Sequence, residues 1–101
     1  MDSEKPDIQV SDVVVSTAGR DQGELFYCVG TDGVYLILVN GKDRKLEKPK
    51  RKKWKHVSKV LRSETRVAAK LLSGDKVLNS ELRKDLAFIS RELQSQNHGG
   101  S

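Results

Sequence analysis

The strongest chemical signal in the chain is a basic tract at residues 42–62. It holds eleven Lys and Arg residues and two acids, a formal charge of +9, whereas the other 80 residues carry −4. A block of one sign repels itself unless water or a partner neutralises it. Such a density of cations gains affinity by releasing counterions from phosphates. The tract therefore predicts an anionic partner, and nucleic acid in particular.

Other interpretations of the basic tract remain open. It could be a solvated surface segment or a localisation signal. A membrane-surface role is disfavoured because the tract lacks interleaved apolar residues that would insert among lipid headgroups. Pro49 removes a backbone donor and discourages helix, so residues 47–53 are predicted to be extended, with alternate side chains along a strand of nucleic acid.

Two rings inside the tract have more than one interpretation. Trp54 is one of only five aromatic residues in the chain. We expect it to close the core of the domain, with stacking on a base as the alternative. The ring of His56 could pack on the domain, stack on a base or bond a phosphate.

A second candidate site is the polar segment at residues 17–23, which contains Gly19 and Gly23. Glycine takes left-handed backbone conformations at little cost and lets the backbone approach a ligand closely. Arg20 adds a planar fork of donors that suits phosphate oxygens. We predict that this segment is a loop that takes part in binding.

Catalytic and metal chemistry has few residues to draw on. Two His and one Cys cannot supply the four ligands of a structural zinc site. The sequence holds no phosphate-binding Gly-rich loop and no nucleophile elbow. We therefore predict no enzymatic activity, no metal and no cofactor. Cys28 lies in an apolar run, where a thiol usually acts as a small hydrophobic side chain.

The same sequence features predict a cytoplasmic protein without a membrane partner. The longest apolar run, residues 34–39, has six residues, whereas a membrane helix needs about 20. The first twelve residues carry more acids than bases and include no apolar segment typical of a signal peptide. A single cysteine cannot form an internal disulfide.

Short strands and two helices must position these residues. Four apolar runs have the Val, Ile, Tyr and Phe content of strands: residues 13–15, 25–29 and 34–39, and a weaker run around Leu46. Asp32-Gly33 and Asn40-Gly41 are typical of tight turns, which predicts antiparallel pairing.

The spacing of apolar residues changes to a helical period after the basic tract. Residues 64–72 are consistent with a short helix that stops at Ser73-Gly74. A longer amphipathic helix beginning at Asn79 or Ser80 is indicated by residues recurring at +4, +3 and +4, namely Leu82, Leu86, Ile89 and Leu93. We expect this apolar stripe to pack on its own domain.

The order of these features resembles the KOW motif of RNA-binding and ribosomal proteins. Residues 13–29 carry the resemblance, with Gly23 at the position of the motif's defining glycine; Gln22 departs from it, since many KOW loops have Lys there. Residues 41–53, followed by Lys55-His56, are similar to small bacterial KOW-domain proteins related to an archaeal and eukaryotic large-subunit ribosomal family. The resemblance covers about residues 10–60.

The resemblance implies a mainly β protein with C-terminal α structure, a five-stranded SH3-like (KOW) barrel followed by two helices. Its fifth strand is expected near residues 54–57. The corresponding division of the chain is a disordered leader at 1–9, a barrel with a basic arm at 10–60, a helical extension at 61–94 and a flexible tail at 95–101.

The resemblance also implies a monomer that binds structured RNA, with ribosomal RNA and the large ribosomal subunit as the expected partners. The loop and the arm would grip phosphates of neighbouring segments, with few base-specific contacts. The candidate RNA-binding residues are Gly19, Arg20, Asp21, Gly23, Arg44, Lys45, Lys48, Lys50, Arg51, Lys52, Lys53, Lys55 and His56.

Two alternative functions stay open at this point. The protein could be an interaction adaptor of the transcription or translation machinery, binding a protein through the barrel face or the C-terminal helix. Charge alone also permits DNA as the ligand, because DNA and RNA share their phosphate chemistry and differ in the 2′-hydroxyl.

Overall fold

The structure, a computed structural model, describes residues 6–99. Five strands, one 3₁₀ turn and two helices follow one another along the chain. They are β1 (Asp12–Ser16), β2 (Leu25–Asp32), β3 (Tyr35–Val39), β4 (Lys50–Lys53), the 3₁₀ turn Trp54–His56, β5 (Val57–Arg62), α1 (Arg66–Ser73) and α2 (Asn79–Gly99). The predicted fold class, mainly β with C-terminal helices, is confirmed.

All five strands form one antiparallel sheet in the order β4-β3-β2-β1-β5. This order is consistent with the predicted SH3-like barrel, although no pairing joins β4 to β5 within residues 6–99. The register shifts between Cys28 and Gly30 in β2 and between Val13 and Val14 in β1. Such bulges bend a strand and increase its twist, which allows the short strands to curl around a core.

Each face of the sheet supports its own apolar core because successive side chains of a strand point to opposite faces. The inner core is formed by Ile8, Val14, Phe26, Cys28, Leu36, Leu38 and Val57. Trp54 packs against it and is half-buried, as expected for a residue that closes the core. The thiol of Cys28 is fully buried and donates to the carbonyl of Gly30 at 3.3 Å.

The outer core lies between the sheet and the two helices. Its buried members are Val13, Tyr27, Val39, Val67, Ala68, Val77, Leu82, Leu86 and Ile89. The predicted stripe on α2 therefore packs on its own domain, as expected. Thr65 caps α1 by accepting from the N–H of Ala68, and Gly74 ends it in the left-handed conformation.

A buried polar cluster joins β2 to both helices. The Tyr27 hydroxyl donates to the Asp85 carboxylate of α2. The Ser63 hydroxyl lies 2.8 Å from the Tyr27 hydroxyl. Thr65 donates to the same carboxylate at 2.8 Å. Burial, together with the bond to Asp85, raises the pKa of Tyr27 to about 12, so the hydroxyl stays protonated and keeps its role as a donor.

Several predicted boundaries are wrong in detail. The fifth strand begins at Val57, because residues 54–56 form the 3₁₀ turn, and it continues to Arg62, beyond the predicted barrel end at 60. The fourth strand is Lys50–Lys53, whereas Leu46 lies in a turn and packs against the outer core. The inward lysines of β4 reach an acidic side chain, so this strand needs no apolar residues.

The ends of the chain also differ from the prediction. Ile8, predicted to lie in a disordered leader, has its side chain buried in the inner core. Residues 95–99, predicted to belong to a flexible tail, lie in α2, which runs to Gly99. Residues 1–5 and 100–101 of those two predicted segments lie outside the described residues.

The hairpin between β2 and β3 turns at Gly33 and Val34, one residue later than predicted. Asn40 and Gly41, predicted to form a tight hairpin turn, begin a longer loop at residues 40–49. Asn40 holds this loop by accepting from the N–H groups of Lys42 and Arg44, both at 2.9 Å. Across residues 6–99, neither helix is apolar and long enough to cross a membrane.

The start of α2 docks tightly on this loop. Gly41 has φ 75°, and a Cβ placed on it would lie 2.2 Å from the carbonyl oxygen of Asn79 and 2.9 Å from Cβ of Leu82. The Asn79 side chain accepts from the N–H of Leu46 at 2.9 Å, and Arg83 donates to the carbonyl of Gly41 at 2.8 Å. Only glycine fits at position 41.

We predict that Gly41→Ala lowers the free energy of unfolding by about 3 kcal/mol or more, since backbone strain and overpacking each cost about 1–3 kcal/mol. Urea unfolding followed by circular dichroism measures the loss. Gly74→Ala is the matched control, because its φ is 80° and nothing lies within 4 Å of the added Cβ. Equal losses in the two variants would contradict the tight docking.

Candidate nucleic-acid interface

The alternation of β4 divides the centre of the basic tract into two pairs of cations. Lys50 and Lys52 point toward the β1–β2 loop, where their ammonium nitrogens lie 2.9 Å and 2.8 Å from the carboxylate of Asp21. Arg51 and Lys53 point to the opposite side of the strand and are exposed. Asp21 therefore balances one of the two positive charges of the first pair, whereas the side chains of the second pair face solvent.

Asp21 is the centre of this arrangement. Besides the two lysines, its carboxylate accepts from the hydroxyl of Ser16 at 2.7 Å. Burial opposes ionisation of Asp21, but the hydrogen bonds from Lys52, Lys50 and Ser16 outweigh it and hold the pKa of this carboxyl well below its usual range. Lys52 also donates to the carbonyl of Ala18 at 2.7 Å, so the loop is held against β4.

The backbone of the loop completes its shape. Gly19 and Gly23 have φ 90° and 93°, conformations that side chains with a Cβ rarely adopt. The N–H of Gly23 donates to the carbonyl of Ser16 at 2.8 Å, and the N–H of Thr17 donates to the carbonyl of His56 at 2.9 Å. The glycines predicted to permit left-handed turns therefore do so.

A groove of about 490 Å³ is lined by residues of the β1–β2 loop, β3, β4 and the 3₁₀ turn. The lining comprises four Lys or Arg residues, one histidine, one tyrosine and two small residues of the loop, and none of them is Asp or Glu. They are Ala18, Gly19, Tyr35, Lys50, Arg51, Lys52, Lys53 and His56. Six of the thirteen predicted site residues thus meet at one place.

Arg51 lies over the ring of Tyr35, with its guanidinium carbon 4.5 Å from the ring centroid. Its Nη2 pairs with the carboxylate of Asp32 at 2.9 Å. The side chain of Arg51 remains 56% exposed. The guanidinium plane is thus fixed at the rim of the groove while much of it faces solvent.

The remaining predicted residues lie elsewhere. Arg20, Asp21 and Arg44, with Lys50, border a neighbouring depression of about 310 Å³ that also contains the acids Glu24 and Asp43. Gly23 borders a third depression beside α2. Lys45, Lys48 and Lys55 are exposed but line none of these three.

Sequence reasoning missed the acids that neutralise part of the tract. Asp12 is fully buried and pairs with Lys59 at 3.1 Å and with Arg62 at 3.5 Å. Tyr35 was also missed as a site residue, although its register partner Lys53 in β4 could have indicated it once the strand was known. The predicted binding residue Asp21 is placed in ion pairs with lysines.

No protein-family model and no curated protein matches this chain. Within residues 6–99, no group of three or more His, Cys, Asp or Glu side chains could hold a metal ion. The site is therefore defined by its own geometry, as an acid-free cationic groove at one edge of a five-stranded sheet.

We predict that Asp21→Asn lowers the free energy of unfolding near neutral pH. The difference in this free energy between the variant and the wild type should become smaller as the pH falls. The pKa of Asp21 is lowered on folding, so its stabilising contribution is complete above the unfolded value of about 3.9 and declines as the pH falls toward the folded value. Urea unfolding at about pH 7 and about pH 3 measures both quantities.

The control for this prediction is Asp32→Asn, which removes an ion pair whose carboxylate is 65% exposed. Exposed pairs contribute little, so this variant should stay close to the wild type at both pH values. If Asp21→Asn loses the same free energy of unfolding at both pH values, the ionisation of Asp21 is not what stabilises the loop.

Proposed function

We propose that the protein binds structured RNA and has no catalytic role. The observation that supports this most directly is the groove between the β1–β2 loop and β4, whose lining includes Lys50, Arg51, Lys52, Lys53 and His56 and no acid. Phosphate is the ligand that such a lining favours, since each neutralised phosphate releases counterions.

Different parts of the groove act in different ways on a phosphate backbone. Lys53 is exposed and has no ion pair within the described residues, so its ammonium group can contact a phosphate directly. Gly19 has no side chain to block the approach of a backbone along the loop. Lys52 is buried to 9% exposure, and it shapes the groove by holding the loop.

The exposed cations outside the groove extend the same surface. Lys48 and Lys55 flank β4 along the chain and make no ion pair within the part of the chain that is described. They would contact phosphates beyond the groove and add to the salt dependence of binding. The resemblance of this region to ribosomal KOW proteins supports ribosomal RNA as the structured ligand.

The adaptor function is less well supported than RNA binding. Leu82, Leu86 and Ile89, the stripe that would bind a protein, are buried against the sheet. The alternative protein-binding surface is the sheet itself, where the edge of β4 is open because, within residues 6–99, this strand pairs with β3 alone. An acidic extended peptide is the competitor that an RNA-binding assay must include.

We predict that Lys53→Gln/Lys55→Gln, which removes two exposed cations without ion pairs among the described residues, weakens binding of a fluorescein-labelled RNA hairpin and flattens its salt dependence. Loss of two phosphate contacts should reduce the log–log slope by roughly 1.4–1.8, since each contact contributes about 0.7–0.9. Fluorescence anisotropy titrations at several salt concentrations measure the slope. A DNA hairpin of the same sequence and a poly-glutamate peptide serve as competitors.

The control is Lys76→Gln/Lys84→Gln, which removes the same charge from exposed positions at and beside α2. It should leave the slope close to that of the wild type. Equal slopes in all three proteins, or displacement of the RNA by the peptide at lower concentration than by unlabelled RNA, would argue against the proposal.

The ribosomal part of the proposal has its own test, which is sedimentation of the tagged protein from lysate through a sucrose gradient. We predict co-migration with the large ribosomal subunit at low salt and release at high salt or after nuclease treatment. Protein that stays at the top of the gradient at low salt would exclude stable association with the ribosome and leave other RNAs as ligands.

A further inference from the structure

The stacked pair of Tyr35 and Arg51 has a chemistry that phosphate binding does not use. The carboxylate of Asp32 lies 2.9 Å from Nη2 of Arg51, so the charge of this arginine is already partly neutralised. The guanidinium carbon of Arg51 lies over the tyrosine ring, 4.5 Å from its centroid. This planar cation has a ring on one side and a carboxylate beside it, and because its side chain is 56% exposed and lines the groove, the side away from the ring is open to a ligand.

A nucleic-acid base is the planar group that fits this second face. RNA-binding proteins stack unpaired bases on aromatic rings and on arginine guanidinium planes. Side chains two residues apart on one strand lie about 7 Å apart on the same side, a spacing close to that between a base and its own phosphate. Lys53 stands in that position relative to Arg51 and is exposed.

We propose that the groove binds an unpaired nucleotide, with its base stacked on Arg51 and its phosphate on Lys53. This inference rests on the proposed RNA binding and adds the class of RNA, a helix interrupted by a bulged or looped nucleotide. A fully paired helix would reach the same cations with its phosphates, but it has no free base face to place on Arg51.

The experiment uses two RNA hairpins that differ only in the base of one bulged residue. One carries a bulged adenosine and the other an abasic residue at the same position, so charge and chain length are equal. Wild-type protein should bind the adenosine hairpin at least about fivefold more tightly, because stacking of a base contributes about 1–3 kcal/mol. Anisotropy titrations at one salt concentration give both dissociation constants.

Two groove variants separate stacking from charge. Arg51→Lys keeps the positive charge and loses the plane, so the preference for adenosine should disappear while the affinity for the abasic hairpin stays within about twofold. Tyr35→Leu removes the support beneath the guanidinium and should reduce the preference as well. Arg66→Lys, at an exposed position of α1, is the matched control and should keep it.

The outcomes distinguish this inference from the function on which it rests. Wild-type protein that binds neither hairpin would overturn both. Equal binding of the two hairpins, or a preference that survives in both groove variants, would overturn the stacking and leave RNA binding standing; the Tyr35–Arg51 pair would then act only within the hairpin of β3 and β4. Urea unfolding of each variant confirms that it is folded.

Discussion

The ion pairs of Asp21 with Lys50 and Lys52 are the constraint on which the shape of the groove depends. A charged group withdrawn from water is costly unless it is paired and hydrogen-bonded. Here one carboxylate forms ion pairs with two lysines that lie two residues apart on the same face of β4. These bonds hold the β1–β2 loop against the edge of β4. Because side chains alternate along a strand, fixing these two inward directs Arg51 and Lys53 outward. The ion pairs of Asp21 thus give Lys50 and Lys52 a structural role and leave Arg51 and Lys53 accessible to a ligand.

The helices cover one part of the sheet and leave another part exposed. The outer face of β1 and β2 is covered by α2, and the Tyr27 hydroxyl fixes that helix through Asp85 in a buried cluster that also includes Thr65. The helices are therefore part of the domain and not a separate extension, since without them the apolar residues of this face would meet water. The cover does not reach Arg51, which stays more than half exposed beside Tyr35. Packing at one end of the sheet thus leaves the other end open for binding.

Local sequence patterns predicted most of the strands and both helices. The remaining strand and the ion pairs depend on contacts between residues that are distant in the sequence. The strands at residues 13–15, 25–29 and 34–39 and both helices have apolar spacing that is visible in the sequence. The strand Lys50–Lys53 has no such spacing, because its strand character comes from pairing with β3 and its inward side chains are held by Asp21, about thirty residues earlier. The clustering of charge likewise indicated the candidate site. It did not show which cations were already neutralised, since their partners Asp12, Asp21 and Asp32 become neighbours only in the folded chain.

The absence of acids from the groove matters more for ligand choice than the net charge of the protein. Lys50 borders both the groove and the neighbouring depression, but the depression also contains Glu24 and Asp43. Exposed charges act over a Debye length of about 8–10 Å at physiological salt, so an acid within the same small depression offsets much of the attraction of a lysine for phosphate. The groove has no acid in its lining, and the two acids that pair with its cations, Asp21 and Asp32, leave four cations against two acids, whereas the lining of the depression has three of each. Under the proposed function, a phosphate backbone would therefore follow β4 in preference to the loop at residues 40–49, although both carry several lysines and arginines.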